Sequence, residues 1–203
     1  MNGIDSEERI AEVYGLDKVI YGLTLGIDAV RDGNAITYKN QGRILFGEKK
    51  NTEMSDRVRR ISNLFTKAGI AHEIPPDMIH SLWFKFMINV GVNQTSAVLR
   101  ANYGTLQCSS EAKNLMDSAM MEVIDIARTQ NVAHSVDDLK EWYKVLETLN
   151  PAGKTSMLQD VEAGRTTEVE MLAGTVIQLG KRLGIPTPVN QKLFYELTRI
   201  GKA

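Results

Sequence analysis

The chain has 203 residues, 43% of them apolar, which supports one large core or two small ones and marks an ordinary globular protein. Its 24 Lys and Arg stand against 25 Asp and Glu, interspersed along the chain, so no basic stripe offers a footprint for nucleic acid and a small-molecule partner is expected. The single Cys108 excludes an internal disulfide, and no basic segment leads into an apolar run at the start, so a cytoplasmic protein is expected.

Residues 1–74 alternate between helical and extended patterns. Ser6 is placed to cap a short helix that ends at Gly15. Lys18 to Leu25, rich in β-branched and aromatic residues, reads as a strand. Ala35–Tyr38 and Arg43–Gly47 frame a predicted hairpin with its turn at Lys39-Asn40-Gln41-Gly42. From Ser55 the period changes: Val58, Ile61, Leu64, Phe65 and Ala68 recur at helical spacing up to Gly69, and Ile70–Ile74 returns as a strand.

Pro75-Pro76 cannot continue a helix and marks the predicted boundary between an α/β part, 1–75, and a helical part, 76–203. The expected class is therefore α+β, mostly α. Asp77 caps a long predicted helix to about Arg100, and Ser109 or Ser110 caps a second through Arg128. Ser135-Val-Asp-Asp138 has the form of a capping box before the helical face Leu139, Trp142, Tyr143, Leu146 and Leu149. Two helical pieces, Ser156–Ala163 and Glu168–Leu183, are separated by a bend at 164–167. Thr187-Pro188 then opens a last helix.

The segment from Ser81 to Ser96 reverses the polarity of a surface helix. At about 100° per residue, Ser81, Lys85, Asn89, Asn93 and Ser96 fall within roughly 120°, while Trp83, Phe84, Phe86, Met87, Ile88, Val90 and Val92 occupy most of the rest. The polar residues also make Leu82–Leu99 too polar for a lipid-facing span. One reading is a solvated stripe with Lys85 reaching along the apolar surface to water. The other is a site, because the stripe holds amides rather than Glu and Lys, carries one charge, and suits a carboxylate and an oxyanion. Gly91 allows another group to come close.

Around Gly153–Glu168 two readings also stand: Ser156 as an N-cap and Glu168 as a first-turn acid, or both as ligand contacts. Asp160 and Arg165 read as a local ion pair or as solvated charges. His72, His80 and His134 have no Cys or carboxylate at metal-ligand spacing, so no metal is expected, and Cys108 reads as packing.

Three segments carry a family resemblance: Leu82-Trp-Phe-Lys-Phe-Met-Ile-Asn-Val-Gly-Val-Asn93; Thr155-Ser-Met-Leu-Gln-Asp160 with Arg165–Glu168; and Gly184-Ile-Pro-Thr-Pro-Val-Asn190. In this order they resemble the carboxyl-terminal domain of ketopantoate reductases. Asn2-Gly3-Ile4 is similar to the turn that family sets beside the nicotinamide, and Gly26–Asn34 to a following strand and loop. The resemblance implies the remnant of a Rossmann-type NADP-binding domain followed by an all-helical domain like the carboxyl-terminal one of 6-phosphogluconate dehydrogenase. A Gly-x-Gly-x-x-Gly turn does not occur in the chain.

The same resemblance implies NADPH-dependent reduction of 2-dehydropantoate to pantoate, on the way to coenzyme A, with Lys85 as the general acid. Lys85, Asn89, Asn93, Ser156 and Glu168 would contact substrate, and Asn2, Ala29 and Glu168 the cofactor. Asn102-Tyr103-Gly104 departs from the members that place a further substrate-binding Asn in that turn. A fragment without the glycine-rich turn is expected to be weak or inactive and to self-associate as a homo-oligomer through an open sheet edge or its helices. Reduction of another 2-oxo acid and a noncatalytic helical dimerisation or binding module are the alternatives.

Overall fold

The computed structural model describes residues 3–200. The chain forms two compact units, Gly3–Leu82 and the remainder from Trp83 onward.

In the first unit, α1 (Ser6–Tyr14) ends at Gly15, whose φ of 87° only glycine adopts easily. Its N-cap position is Asp5 rather than Ser6. The Ser6 hydroxyl instead donates to the buried Glu7, whose carboxylate accepts the Gly22 amide at 3.3 Å and so fastens the helix to the first strand. That strand, β1 (Tyr21–Asp32), pairs antiparallel with β2 (Ala35–Gly47).

The hairpin turn lies at Gly33-Asn34, between the paired Asp32 and Ala35, and not at 39–42. The turn-forming residues at 39–42 make a bulge within β2 instead. The register slips between Ile27, opposite Gln41, and Ala29, opposite Tyr38, so two residues of β2 face one of β1. Gly42 sits there at φ 65°, and its amide donates to Asn40 Oδ1 at 2.9 Å. A local Asn/Gly signal serves a turn or a bulge equally well, and strand pairing decides which.

Ser55 caps α2 (Asp56–Lys67) by accepting from the Val58 amide, and the helix carries the chain over to β3 (His72–Glu73), which lies parallel to β2. The unit's core is Tyr21, Leu23, Leu45, Met78 and Leu82, with Ile4 and Leu25 packed against it. Asn51 binds the Pro75 carbonyl at 2.6 Å and the Pro76 carbonyl through its own amide, so the diproline segment is held firmly. Asp77 caps the next helix by accepting from the His80 amide at 3.1 Å.

That helix, α3 (Met78–Ile88), continues through a π-helical turn at Asn89–Asn93 into α4 (Gln94–Leu99), and Arg100 closes it in the left-handed region at φ 50°. Then come α5 (Tyr103–Cys108), capped by Asn102; α6 (Ser110–Thr129), capped by Ser109; and α7 (Val136–Thr148), opened by the capping box of Ser135 and Asp138. Asp138 also holds buried His134 at 2.6 Å, and that ring stacks on Phe84. The remaining elements are α8 (Ser156–Glu162), a second π turn at Glu170–Gly174 leading into α9 (Thr175–Leu183), and α10 (Pro188–Ile200).

The second unit is built on α6, which buries Met116, Ala119, Met120, Val123 and Ile124 completely. A polar network crosses this core. Glu122 accepts the Val189 and Asn190 amides at the start of α10, where a carboxylate complements the helix dipole, and it also accepts from Asn190 Nδ2 at 2.7 Å. Asn190 Oδ1 in turn accepts from Gln94 Nε2. No described helix is long and apolar enough to cross a membrane. A small sheet in a chain otherwise made of helices gives the mostly α architecture the sequence predicts.

Candidate active site

Lys85, Asn89 and Asn93 lie along one face of the long helix, and the π turn at Asn89–Asn93 brings them closer into line. On a regular helix at about 100° per residue, Lys85 and Asn93 would stand roughly 80° apart, whereas a turn of roughly 80° per residue over Asn89–Asn93 brings them nearly into line. Asn93 Nδ2 accordingly reaches Asn89 Oδ1 at 3.4 Å. The turn has a cause in packing. A Cβ on Gly91 would lie 2.9 Å from the Met116 carbonyl oxygen and 2.5 Å from Met120 Cγ, so the helix passes α6 at a separation only glycine permits. Gln94 Nε2 donates to the Val90 carbonyl at 2.7 Å and supplies a partner for a backbone acceptor of the wide turn.

Lys85, Asn89 and Asn93 are half-buried, while Val90, Gly91 and Val92 between the two amides are buried. Burial lowers the Lys85 ammonium from its ordinary range, because the charged form loses solvation, and the Glu168 carboxylate opposes that shift. Lys85 and Glu168 therefore form one electrostatic pair, although 83 positions separate them in sequence. Glu168 is half-buried at the start of the turn leading to α9, where its carbonyl accepts the Met171 and Leu172 amides.

Ser96, the last member of the predicted stripe, is not open to a ligand. It is fully buried, donates to the Ala101 carbonyl at 2.6 Å and accepts from Thr155 Oγ1 at 3.0 Å. Thr155 Oγ1 also accepts the Leu158 amide, so Thr155, and not Ser156, is the cap of α8. This clamp fixes the start of α8 to the end of the long helix. Ser156, the next residue, is exposed, and its hydroxyl has no partner among the described residues. Two adjacent hydroxyl residues could each cap the helix, and the choice of Thr155 depends on Ser96, which lies 59 positions away.

Asp160 and Arg165 form the local ion pair, at 2.9 Å. Ala29 lies exposed on β1 in the first unit, beside the bulge, where a hollow of about 180 Å³ is lined by Ile27, Ala29, Tyr38, Asn40 and Gln41. Asn2 lies outside the described residues.

A family model described as ketopantoate reductase PanE/ApbA C terminal matches residues 77–200. The chain is 29% identical over 195 residues to 2-dehydropantoate 2-reductase of Aquifex aeolicus, covering 94% of this chain and 63% of that protein. It is 29% identical to the enzyme of the same name from Nostoc, covering 97% and 62%. The chain thus spans less than two thirds of these curated relatives. In fold it is similar to the ketopantoate reductase of Ralstonia eutropha, with a TM-score of 0.85 at 23% identity over 99% of this chain and 65% of that one. It is similar also to D-mandelate dehydrogenase in complex with NADH, with a TM-score of 0.88 at 19% identity over 100% and 68%. A match over more than half its length, spanning Lys85, Asn89, Asn93, Ser156 and Glu168, makes this chain a member of the ketopantoate reductase family.

Proposed function

We propose that the complete protein carrying this chain reduces 2-dehydropantoate to pantoate with NADPH, a cytoplasmic step of pantothenate and coenzyme A biosynthesis, and that Lys85 is its general acid. The observation that carries the reading is a half-buried ammonium on one helix face with two amides, where burial lowers its titration point and the Glu168 carboxylate opposes that shift. A solvated lysine titrates near ~10.4 and is a poor proton donor at neutral pH, so burial moves Lys85 toward useful acidity. Its charge also stabilises the alkoxide that develops on the keto oxygen.

Asn89 and Asn93, aligned with Lys85, donate to the substrate carboxylate, and the free Ser156 hydroxyl takes a further oxygen. Glu168 keeps Lys85 protonated between turnovers and orients the bound ligand.

A reduced nicotinamide, when bound, supplies the hydride. The hollow around Ala29, lined by Ile27, Tyr38, Asn40 and Gln41, has no charged lining residue and suits a flat, uncharged ring. No Gly-x-Gly-x-x-Gly turn is present to hold a pyrophosphate, so the 203-residue chain alone binds NADPH weakly or undetectably. A homo-oligomer is expected, and a dimeric ketopantoate reductase from Staphylococcus aureus has a similar fold.

A second reading, reduction of another 2-oxo acid, draws on the likeness in fold to D-mandelate dehydrogenase with NADH. The test is NADPH oxidation by the complete enzyme with a panel of 2-oxo acids, comparing wild type with Lys85→Met. The expected result is highest kcat/KM for 2-dehydropantoate and a loss of at least ~100-fold in kcat for the variant. A variant that keeps wild-type kcat would overturn the assignment of Lys85.

A further inference from the structure

The π turn between Asn89 and Asn93 involves one side chain that the scheme for Lys85 does not use. In a regular helix the Val90 carbonyl accepts the backbone amide four residues on, which is that of Gln94. Here that amide donates to the Gly91 carbonyl, and Nε2 of the same residue binds the Val90 carbonyl at 2.7 Å. Gln94 is fully buried, and its Nε2 also donates to Asn190 Oδ1 at 3.2 Å. An amide nitrogen carries two hydrogens, so both bonds are made at once.

The direction of these bonds is set from the far end of the network. The Glu122 carboxylate and the Ala119 carbonyl accept, so Asn190 turns Nδ2 to them, at 2.7 and 3.2 Å, and is left with Oδ1 facing Gln94. Gln94 must answer with its nitrogen. Its Oε1 is thereby buried with no hydrogen-bond partner among the described residues. A buried, unpaired acceptor costs stability, and methionine or leucine would fill the same core position without that cost. What only the glutamine supplies is a pair of donors, one to the turn and one to the start of α10.

We propose that Gln94 is a positioning residue: it holds the π turn and so sets the Asn93 amide in line with Lys85, where the amide reaches the carboxylate of the 2-oxo acid and the ammonium faces the keto oxygen. This rests on the reading of Lys85 and Asn93 given above. Without the side-chain bond, the Val90 carbonyl regains a donor most directly from the Gln94 backbone amide, in regular α geometry. That winding carries Asn93 back toward a separation of roughly 80° from Lys85. The clamp between Ser96 and Thr155 and the close contact at Gly91 resist it, so the displacement is partial. Lys85 lies in α3, before the turn, and keeps its place.

The test is steady-state kinetics of the complete enzyme with 2-dehydropantoate, comparing wild type, Gln94→Met, Asn93→Ala and the double variant, with Asn190→Ala as a control. Gln94→Met should raise KM about 5- to 20-fold and leave kcat within about twofold, because the amide is displaced and the acid is not. Asn93→Ala should raise KM at least as much, and Gln94→Met should add less than about twofold to it, since the two act through one contact. Asn190→Ala weakens the same network but leaves the bond to Val90, so it should lower the melting temperature with KM within about twofold. Gln94→Leu also lacks the donors and should repeat the result, which covers the case of a methionine variant that does not fold. An unchanged KM in Gln94→Met, equal rises in Gln94→Met and Asn190→Ala, or full additivity with Asn93→Ala would each sink the positioning role while the reading of Asn93 survives. If Asn93→Ala itself leaves KM unchanged, both fall.

Discussion

Replacing Gly91 by alanine tests the packing that sets the site's geometry. The new Cβ would meet Met120 Cγ at 2.5 Å, Met120 Cε at 2.7 Å and the Met116 carbonyl oxygen at 2.9 Å, all below the 3.0 Å that real Cβ atoms respect. Met120 Cε is the free end of a flexible chain and can swing aside. Met116 O is backbone and Met120 Cγ is one bond from the Cβ, so the π turn and α6 must move apart by several tenths of an ångström. Overpacking of this kind costs ~1–3 kcal/mol, and the presence of a backbone atom in the clash puts it in the upper half of that range. The better helix propensity of alanine returns up to ~1 kcal/mol, leaving a net loss of about 1–2 kcal/mol. For a chain of this size that lowers Tm by about 2–8 °C, measurable by calorimetry. Met120→Ala removes the side-chain part of the clash and leaves Met116 O in place. A double-mutant cycle should therefore show favourable coupling of about 1 kcal/mol and only partial rescue. In the complete enzyme, kcat/KM should fall as well, since Asn89 and Asn93 flank Gly91. A Gly91→Ala protein that melts at or above the wild-type temperature would refute the claim that glycine is required for the close approach.

Two further perturbations address the charge and the polar core. Glu168→Gln removes the carboxylate that holds Lys85's titration point up against desolvation, so that point falls further and the acid form is lost earlier as pH rises; the alkaline limb of the kcat/KM profile should move to lower pH, and a limb that stays or moves upward contradicts the pairing. Asn190→Ala deletes the buried bonds to Gln94, Glu122 and the Ala119 carbonyl, and should destabilise by about 2–4 kcal/mol in denaturant titrations; a change under ~1 kcal/mol would mean that the network contributes little.

The helices were legible because their signals are local. Asp77, Ser109 and the Ser135–Asp138 box each act within three residues of the helix they open, and the structure uses all three. Misreadings arose where a local signal has two uses that only a partner strand or helix can separate. Asn40 and Gly42 suit a turn, yet pairing of β1 with β2 from Asp32–Ala35 back to Tyr21–Gly47 makes them a bulge. The short helix α5 was not foreseen, because its six residues present no apolar period and only Leu106 is buried.

The candidate site was legible in composition and incomplete in geometry. An ammonium among amides on an apolar helix could be found from spacing, since four positions make one turn. The π turn could not, because Gly91 by itself signals only that something approaches; what approaches is Met116 and Met120 on α6, and the wide turn follows from that contact. Ser96 is the instructive case. Spacing placed it on the stripe, but the clamp to Thr155 withdraws it from any ligand and uses it to fix the start of α8 at the end of the helix. A residue on the polar face is thus a support. Where one polar group is committed to holding its neighbours in place, the exposed Ser156, whose hydroxyl has no partner among the described residues, is the one whose substitution should change ligand binding without cost to the fold.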